Sequence, residues 1–120
     1  MSALPLSETI AVADQTRLTP ETVRRIVQNF IADHLGNLAL AGIPRHMVFP
    51  IRVVWAVPIA LAYPGYGLAG VIGVVAVDDE LSSVIASTPL KEMRQAAEQL
   101  YAEHQTEIES AFRKVTSTTA

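Results

Sequence analysis

A run of 25 residues, positions 53–77, carries no charged side chain. Its length meets the first requirement for a transmembrane helix, which needs about 20 predominantly apolar residues. The run also contains two prolines and four glycines, and a helix interior loses roughly 3 kcal/mol per proline and about 1 kcal/mol per glycine. We therefore expect no membrane span and predict an extended conformation for this run.

The order of large and small side chains within the run predicts a β-hairpin. Across positions 53–63 the odd residues are the larger ones and the even residues are mostly alanine or proline, which is the period of two found in strands. Pro64-Gly65-Tyr66-Gly67 has the residue types of a turn. The valine-rich positions 68–77 then return as the second, antiparallel strand.

Both faces of this hairpin are apolar, although a half-exposed antiparallel strand ordinarily alternates apolar and polar residues. Each face therefore needs a cover. Half of the 120 residues are hydrophobic, a high share for a small monomer. The chain's own helices can cover one face, and we expect a second copy of the chain, in a homodimer, to cover the other.

Amphipathic helices are predicted on either side of the hairpin. Thr19-Pro20-Glu21 combines an N-cap, a first-turn proline and a first-turn acid. An apolar stripe follows as far as Leu35, and Gly36 is placed to end the helix. Thr88-Pro89-Leu90 repeats the opening, and a second apolar stripe predicts a long helix that ends at about Lys114.

Shorter segments complete a predicted α-β-β-β-α order. Val84-Ile85-Ala86 predicts a third strand, and positions 47–49 predict an edge strand. The expected fold class is α+β, with a small antiparallel sheet of three to four strands and an N-terminal and a long C-terminal helix packed on it. We expect an N-terminal arm over residues 1–18, partly disordered or a short helix, a single domain over residues 19–115, and a frayed tail over residues 116–120.

The strand residues resemble those of PepSY-like and cystatin-like small domains. Trp55-x-Val57 is followed by Val75-x-Val77-Asp78, five further residues and Val84-Ile85. This order is similar to the pattern W-x-V … V-x-V-D-x5-V-I/L of those domains, over residues 20–87. The resemblance implies a helix that precedes the sheet, and a non-catalytic binding or inhibitory module.

A second resemblance concerns residues 12–27. They look like the helix-turn-helix of LacI-type repressors, whose pattern is V-A-x-x-A-G-V-S-x-x-T-V-x-R-V-V. The resemblance implies a DNA-binding regulator that uses residues 12–30 and places four side chains against base edges: Thr19, Glu21, Thr22 and Arg25. With 9 Lys and Arg against 12 Asp and Glu, the chain lacks the basic surface that phosphate contacts require. Nucleic acid is therefore the alternative partner and not the expected one.

Residues that carry chemistry are sparse. The chain has no cysteine and three scattered histidines, so we predict no thiol catalysis, disulfide or zinc–thiolate site. Asp78-Asp79-Glu80 lacks the glycine and the further oxygen ligands of an EF-type loop and is interpreted as a solvated turn. We expect no enzyme activity, no metal and no cofactor. A small enzyme or ligand-binding domain with a pocket between helix and sheet is a second alternative.

Four residues are candidates for an interface. Tyr63 and Tyr66 flank the predicted hairpin tip, and a tyrosine can bury its ring against a partner while its hydroxyl stays in water. His104 lies on the apolar stripe of the second helix, where a packed or interface histidine is more common than a metal ligand. Trp55 in the first hairpin strand completes the set.

The expected function is that of a small binding module that acts by self-association, in a regulatory or scaffold-like role. A net charge of −3 gives no electrostatic case for a polyanionic partner. Residues 1–6 lack the basic and apolar regions of a signal peptide, so the cytoplasm is the expected compartment.

Overall fold

The computed structural model describes residues 17–36 and 38–119, and the side chains within 17–36 and 38–115. These residues form two helices and five strands: α1 (Pro20–Leu35), β1 (Ala39–Ala41), β2 (Arg45–Phe49), β3 (Arg52–Tyr63), β4 (Gly67–Asp78), β5 (Ser83–Ser87) and α2 (Leu90–Thr119). The α+β class is confirmed: the strands of an antiparallel sheet follow an N-terminal helix in the sequence and precede a long C-terminal helix. The predicted arm, apart from Arg17 and Leu18, lies outside the described residues.

All five strands join one antiparallel sheet in the order β1-β3-β4-β5, with β2 next to β1 along the same edge of β3. Between β1 and β2, residues 42–44 lie opposite only Val57 and Pro58. Strands β1 and β2 therefore lie end to end along β3, as one row interrupted by a bulge. Pro58 has no N–H to donate, and it is tolerated in a central strand because its backbone faces this break, where no N–H is needed. The Pro58 carbonyl accepts the Gly42 N–H at 2.8 Å.

The predicted hairpin is formed by β3 and β4, each 12 residues long. Ile72 and Ala69 are extra residues in β4, where the register with β3 shifts twice. The predicted edge strand at positions 47–49 is part of β2, and the predicted third strand is part of β5.

The first helix begins and ends where its sequence signals predict. Thr19 has extended backbone angles, and its Oγ1 accepts the N–H of Thr22 at 3.2 Å. Pro20 opens α1, and Gly36, with φ of 83°, ends it. Local chemistry alone is therefore sufficient to place α1.

The second helix begins one residue later than its opening pattern predicts. The Thr88 hydroxyl oxygen accepts the N–H of Val74 in β4 at 3.0 Å, so Thr88 closes the sheet and does not cap the helix. The Pro89 carbonyl accepts the Met93 N–H at 3.0 Å instead. α2 also continues to Thr119, past the end predicted at about Lys114.

Both helices pack on the same face of the sheet. Odd-numbered side chains of β3 and side chains of β1 and β4 form one buried cluster with α1 and α2: Val23, Val27, Ile31, Ala39, Ala41, Trp55, Val57, Ile59, Leu61, Ile72, Val75, Val77 and Met93. Two glycines of β4 allow α2 to approach. A Cβ at Gly73 would lie 2.7 Å from the Met93 side chain, and one at Gly70 would lie 3.0 Å from Leu100.

Of the three acidic residues after β4 only Glu80 is exposed, so the predicted solvated turn is wrong for the two aspartates. Asp78 and Asp79 are each only 3% exposed. Asp78 Oδ1 accepts the N–H groups of Glu80 and Leu81, both at 2.9 Å. The carboxylates are buried because they satisfy backbone donors that would otherwise lack partners.

Candidate functional site

The described helices leave the other face of the sheet without a cover. We call this surface the open face. It is defined by the even-numbered residues of β3 together with the residues paired to them. Its apolar members are Leu40, Met47, Phe49, Val54, Ala56, Pro58, Ala60, Ala62, Leu68, Val71, Val74, Ala76 and Ala86.

Large side chains surround a floor of small ones on the open face. Six large apolar side chains are 39 to 68% exposed: Leu40, Met47, Phe49, Leu68, Val71 and Val74. Together they expose on the order of 500 Å², in the upper part of the range for the largest apolar patch on a typical monomer. The alanines and Pro58 between them keep the backbone of β3 close to the surface.

The charged groups of this face gather at one end. Arg52 begins β3, Arg45 lies opposite Ala56 in the same half of β3, and Arg52 Nη1 is 3.7 Å from Asp78 Oδ2. The opposite end, at the hairpin tip, presents Leu68 and Val71. The open face therefore has a cationic rim on one side and an uncharged one on the other.

On the covered side, Asp79 fastens three separate segments together. Its Oδ1 accepts the Trp55 indole N–H at 2.9 Å and the Leu18 N–H at 3.0 Å, and its Oδ2 accepts the Arg17 N–H at 2.7 Å. We call this arrangement the Asp79 clasp. It ties the segment that enters α1 to the central strand β3.

The clasp lowers the pKa of Asp79 below its ordinary value of 3.8. Burial alone would raise the pKa, but the hydrogen bonds from Trp55, Arg17 and Leu18 and the nearby His46 outweigh it. Sequence reasoning placed Asp79 in a solvated turn and missed its role in joining these segments. A usable signal was present, because a buried tryptophan needs an acceptor for its indole N–H.

Trp55, a predicted interface residue, lies on the covered side and is 6% exposed. Its indole is 4.9 Å from the His46 ring, and its N–H is used by the Asp79 clasp. The structure therefore places Trp55 in the core, away from the open face.

The other three predicted interface residues meet between the hairpin tip and α2. The Tyr63 ring lies 5.8 Å from the ring of Tyr101, and the Tyr66 ring lies 6.0 Å from that of His104. The Tyr66 hydroxyl donates to Glu107 at 3.3 Å. Burial raises the pKa of both Tyr63 and Tyr66, and Glu107 raises that of Tyr66 further. Both tyrosines are thus directed toward α2, and His104 of α2 lies against the ring of Tyr66.

A cleft of about 390 Å³ lies at the same end of the molecule. Its lining includes Tyr63, Pro64, Tyr101, Ile108 and Glu109. Glu109 accepts the Tyr101 hydroxyl at 2.9 Å and a Gln105 amide N–H at 3.1 Å, and these bonds lower its pKa. A lowered pKa makes the Glu109 carboxylate a weaker proton acceptor.

The residues of the DNA-binding alternative lie at the start of α1. The hydroxyls of Thr19 and Thr22 are 2.9 Å apart, and Thr19 serves as the N-cap. Glu21 and Arg25 are exposed. Residues 12–16 of the helix-turn-helix resemblance lie outside the described residues.

Among the described residues, no group of three or more His, Cys, Asp or Glu side chains is arranged to hold a metal ion. Neither described helix has both the length and the apolar character that a membrane crossing demands. Comparison with family models, curated proteins and solved structures gives no match for this chain. The resemblances to PepSY-like, cystatin-like and LacI-type proteins therefore stay predictions.

Proposed function

We propose that this protein is a non-catalytic binding module that works by self-association, in a regulatory or scaffold-like role, with the open face as its binding surface. One observation carries the proposal. Six large apolar side chains are 39 to 68% exposed on a sheet face that no described helix covers. Apolar surface of that extent is stabilised by removal from water.

The size of the open face suits a second copy of the chain. A standard protein–protein interface buries roughly 800 Å² per partner, and the large side chains with the small residues between them approach this area. Homodimer interfaces are also more apolar than other interfaces. Two sheets can pack face to face about 10 Å apart, with side chains of both inner faces interdigitated.

The distribution of charge is compatible with a symmetric pair. A two-fold axis between the sheets and perpendicular to the strands would place each cationic end over the partner's uncharged hairpin tip. Arg45 and Arg52 would then lie at the rim and would not oppose their own copies. Like charges directly opposite one another would destabilise the pair.

The test compares two equally exposed apolar residues. Val71 on the open face is 66% exposed, and Leu81 in the β4–β5 turn is 65% exposed. We expect Val71→Glu to halve the mass measured by light scattering, because it would bury a carboxylate without a partner. Leu81→Glu should leave the mass unchanged. An unchanged mass in Val71→Glu would contradict the proposal.

The cleft beside Tyr63 and Tyr101 favours a second candidate function, the binding of a small apolar ligand. Its volume of about 390 Å³ and its largely aromatic and aliphatic lining are within the range of ligand pockets. A titration with a small aromatic amphiphile, followed by NMR in the Val71→Glu background, should shift resonances of Tyr101 and Ile108. Shifts spread evenly over the chain would dismiss this candidate.

A further inference from the structure

We propose that β2 is a strand-addition edge, at which two copies of the chain pair antiparallel about a two-fold axis through Met47. This inference concerns the backbone edge of β2, whereas the open face is formed by side chains, Met47 and Phe49 among them. All five residues of β2 are exposed. Among the described residues, β2 pairs only with β3.

Hydrogen bonds around β3 show which backbone groups point to which neighbour. The Ala62 N–H donates to the Leu38 carbonyl on the side of β1, at 2.9 Å. The Val53 carbonyl accepts the Asp79 N–H on the side of β4, at 3.0 Å. Because successive residues of a strand alternate in direction, even-numbered residues of β3 face the β1–β2 row and odd-numbered ones face β4.

This alternation fixes the direction of each backbone group in β2. Arg45, Met47 and Phe49 are paired with even-numbered residues of β3, so their N–H and C=O groups point inward. His46 and Val48 are paired with odd-numbered residues, so theirs point outward. No hydrogen bond within the described part of the chain uses the outward groups.

The neighbouring strand β1 has the same geometry, but its outward backbone groups are hydrogen-bonded. Its outward residues are Ala39 and Ala41, and side chains of α1 bond to them. Gln28 donates to the Ala39 carbonyl at 3.2 Å and accepts the Ala41 N–H at 3.0 Å. Arg24 Nε donates to the Ala41 carbonyl at 3.1 Å. Within the described residues, one half of this edge is thus closed by side chains and the half at β2 is open.

The opposite edge of the sheet is less suited to strand addition. In β5 the register shifts between the Ala76 and Val77 pairings, which makes Ile85 an extra residue. Such a bulge twists the strand and disrupts a regular ladder. Strand β2, in contrast, keeps one register through all five of its pairs.

Prolines at both ends of β2 select one symmetric register. With the axis at Met47, His46 lies opposite the second copy's Val48, and each such pair exchanges two outward hydrogen bonds. An axis at His46 would place Val48 opposite Pro44, and an axis at Val48 would place His46 opposite Pro50. Both prolines lack the N–H that the ladder needs. Only the register at Met47 satisfies every outward group.

Side chains are complementary in that register. Arg45 lies opposite the second copy's Phe49, on the same side of the sheet, where a guanidinium and an aromatic face attract each other. Met47 lies opposite its own copy, and no like charges are opposed. The pairing would also remove apolar surface from water. The side chains concerned are Met47, Val48 and Phe49, which are 43%, 53% and 46% exposed.

The axis at Met47 is perpendicular to the sheet, so the open faces of the two copies would lie side by side. The axis of the proposed face-to-face contact lies in the plane of the sheet. The two contacts therefore use different axes and different groups of the sheet, and each can be broken separately.

The test uses Val48→Pro, which removes an outward N–H and leaves the inward bonds of β2 to β3 intact. Ser87→Pro is the matched control, because it removes an outward N–H from the exposed edge strand β5. We expect Val48→Pro to lower the light-scattering mass and Ser87→Pro to leave it unchanged. Val48→Pro combined with Val71→Glu should give the chain mass of 13.0 kDa.

These outcomes separate the two contacts. If Val48→Pro lowers the mass and Val71→Glu does not, the edge pairing holds and the proposed role of the open face fails; the reverse result overturns the edge pairing alone. Amide hydrogen exchange of the unmodified chain is a check that needs no variant. The His46 and Val48 amides should exchange more slowly as concentration rises, and exchange rates independent of concentration would overturn the pairing.

Discussion

The two faces of β3 have similar polarity but different surroundings. On the covered face, Val57 and Ile59 are fully buried against α1 and α2. On the open face, Ala56 and Ala60 form a floor that is only half-buried, and the large side chains stand at its margins. The comparison shows that apolar character alone does not identify the face that the chain's own helices cover. The size order is more informative, because large residues fill an internal core and small residues leave room for an external cover.

The largest expected effect comes from the covered face. Ile59→Ala should lower the free energy of unfolding by about 2 to 5 kcal/mol, because it creates a cavity between sheet and helices. Val71→Ala on the open face should change the unfolding free energy of the monomer by at most about 0.5 kcal/mol. Urea unfolding at low protein concentration measures both. Equal losses in the two variants would erase the distinction between the faces.

The next effect concerns acid stability and the Asp79 clasp. The pKa of Asp79 is lowered in the folded state, so its contribution to stability is complete above the ordinary value of 3.8 and is lost as pH falls through the folded pKa. Asp79→Asn should therefore be less stable at neutral pH and lose less stability below pH 3.8. Fluorescence of Trp55, the single tryptophan, follows unfolding. Parallel acid profiles of the two proteins would contradict the role of the clasp.

The smallest effect is expected at the hairpin tip. Tyr66→Ser removes a hydrogen bond of 3.3 Å to Glu107 at the surface, which should cost less than about 1 kcal/mol. Because Tyr66 faces α2, the light-scattering mass should not change. A lower mass would show that the tip belongs to the interface, as the sequence predicts, and would extend the binding surface beyond the open face.

Local signals in the sequence were sufficient for much of the fold. The N-cap at Thr19, the stop at Gly36 and the turn at Pro64 each act within a few residues, so they can be read directly. The apolar character of both hairpin faces also follows from spacing alone. Strand β1 was missed because Ala39-Leu40-Ala41 is too short to show a period.

The rest depends on contacts between distant residues. The Asp79 clasp joins residues 24 and 62 positions apart, which no local pattern records. The side on which Val71 lies could not be predicted either, because the extra residues Ala69 and Ile72 shift the alternation of β4 between them. The seal of β1 by Gln28 likewise requires knowledge of how α1 packs.

The most direct test of the central claim is the mass of the unmodified, detergent-free protein, measured by light scattering as it is diluted from about 100 μM, where interfaces of standard size are populated. We predict a mass of at least twice 13.0 kDa at the highest concentration. A mass of 13.0 kDa at every concentration would contradict the account, because the open face would then need no second copy to cover it.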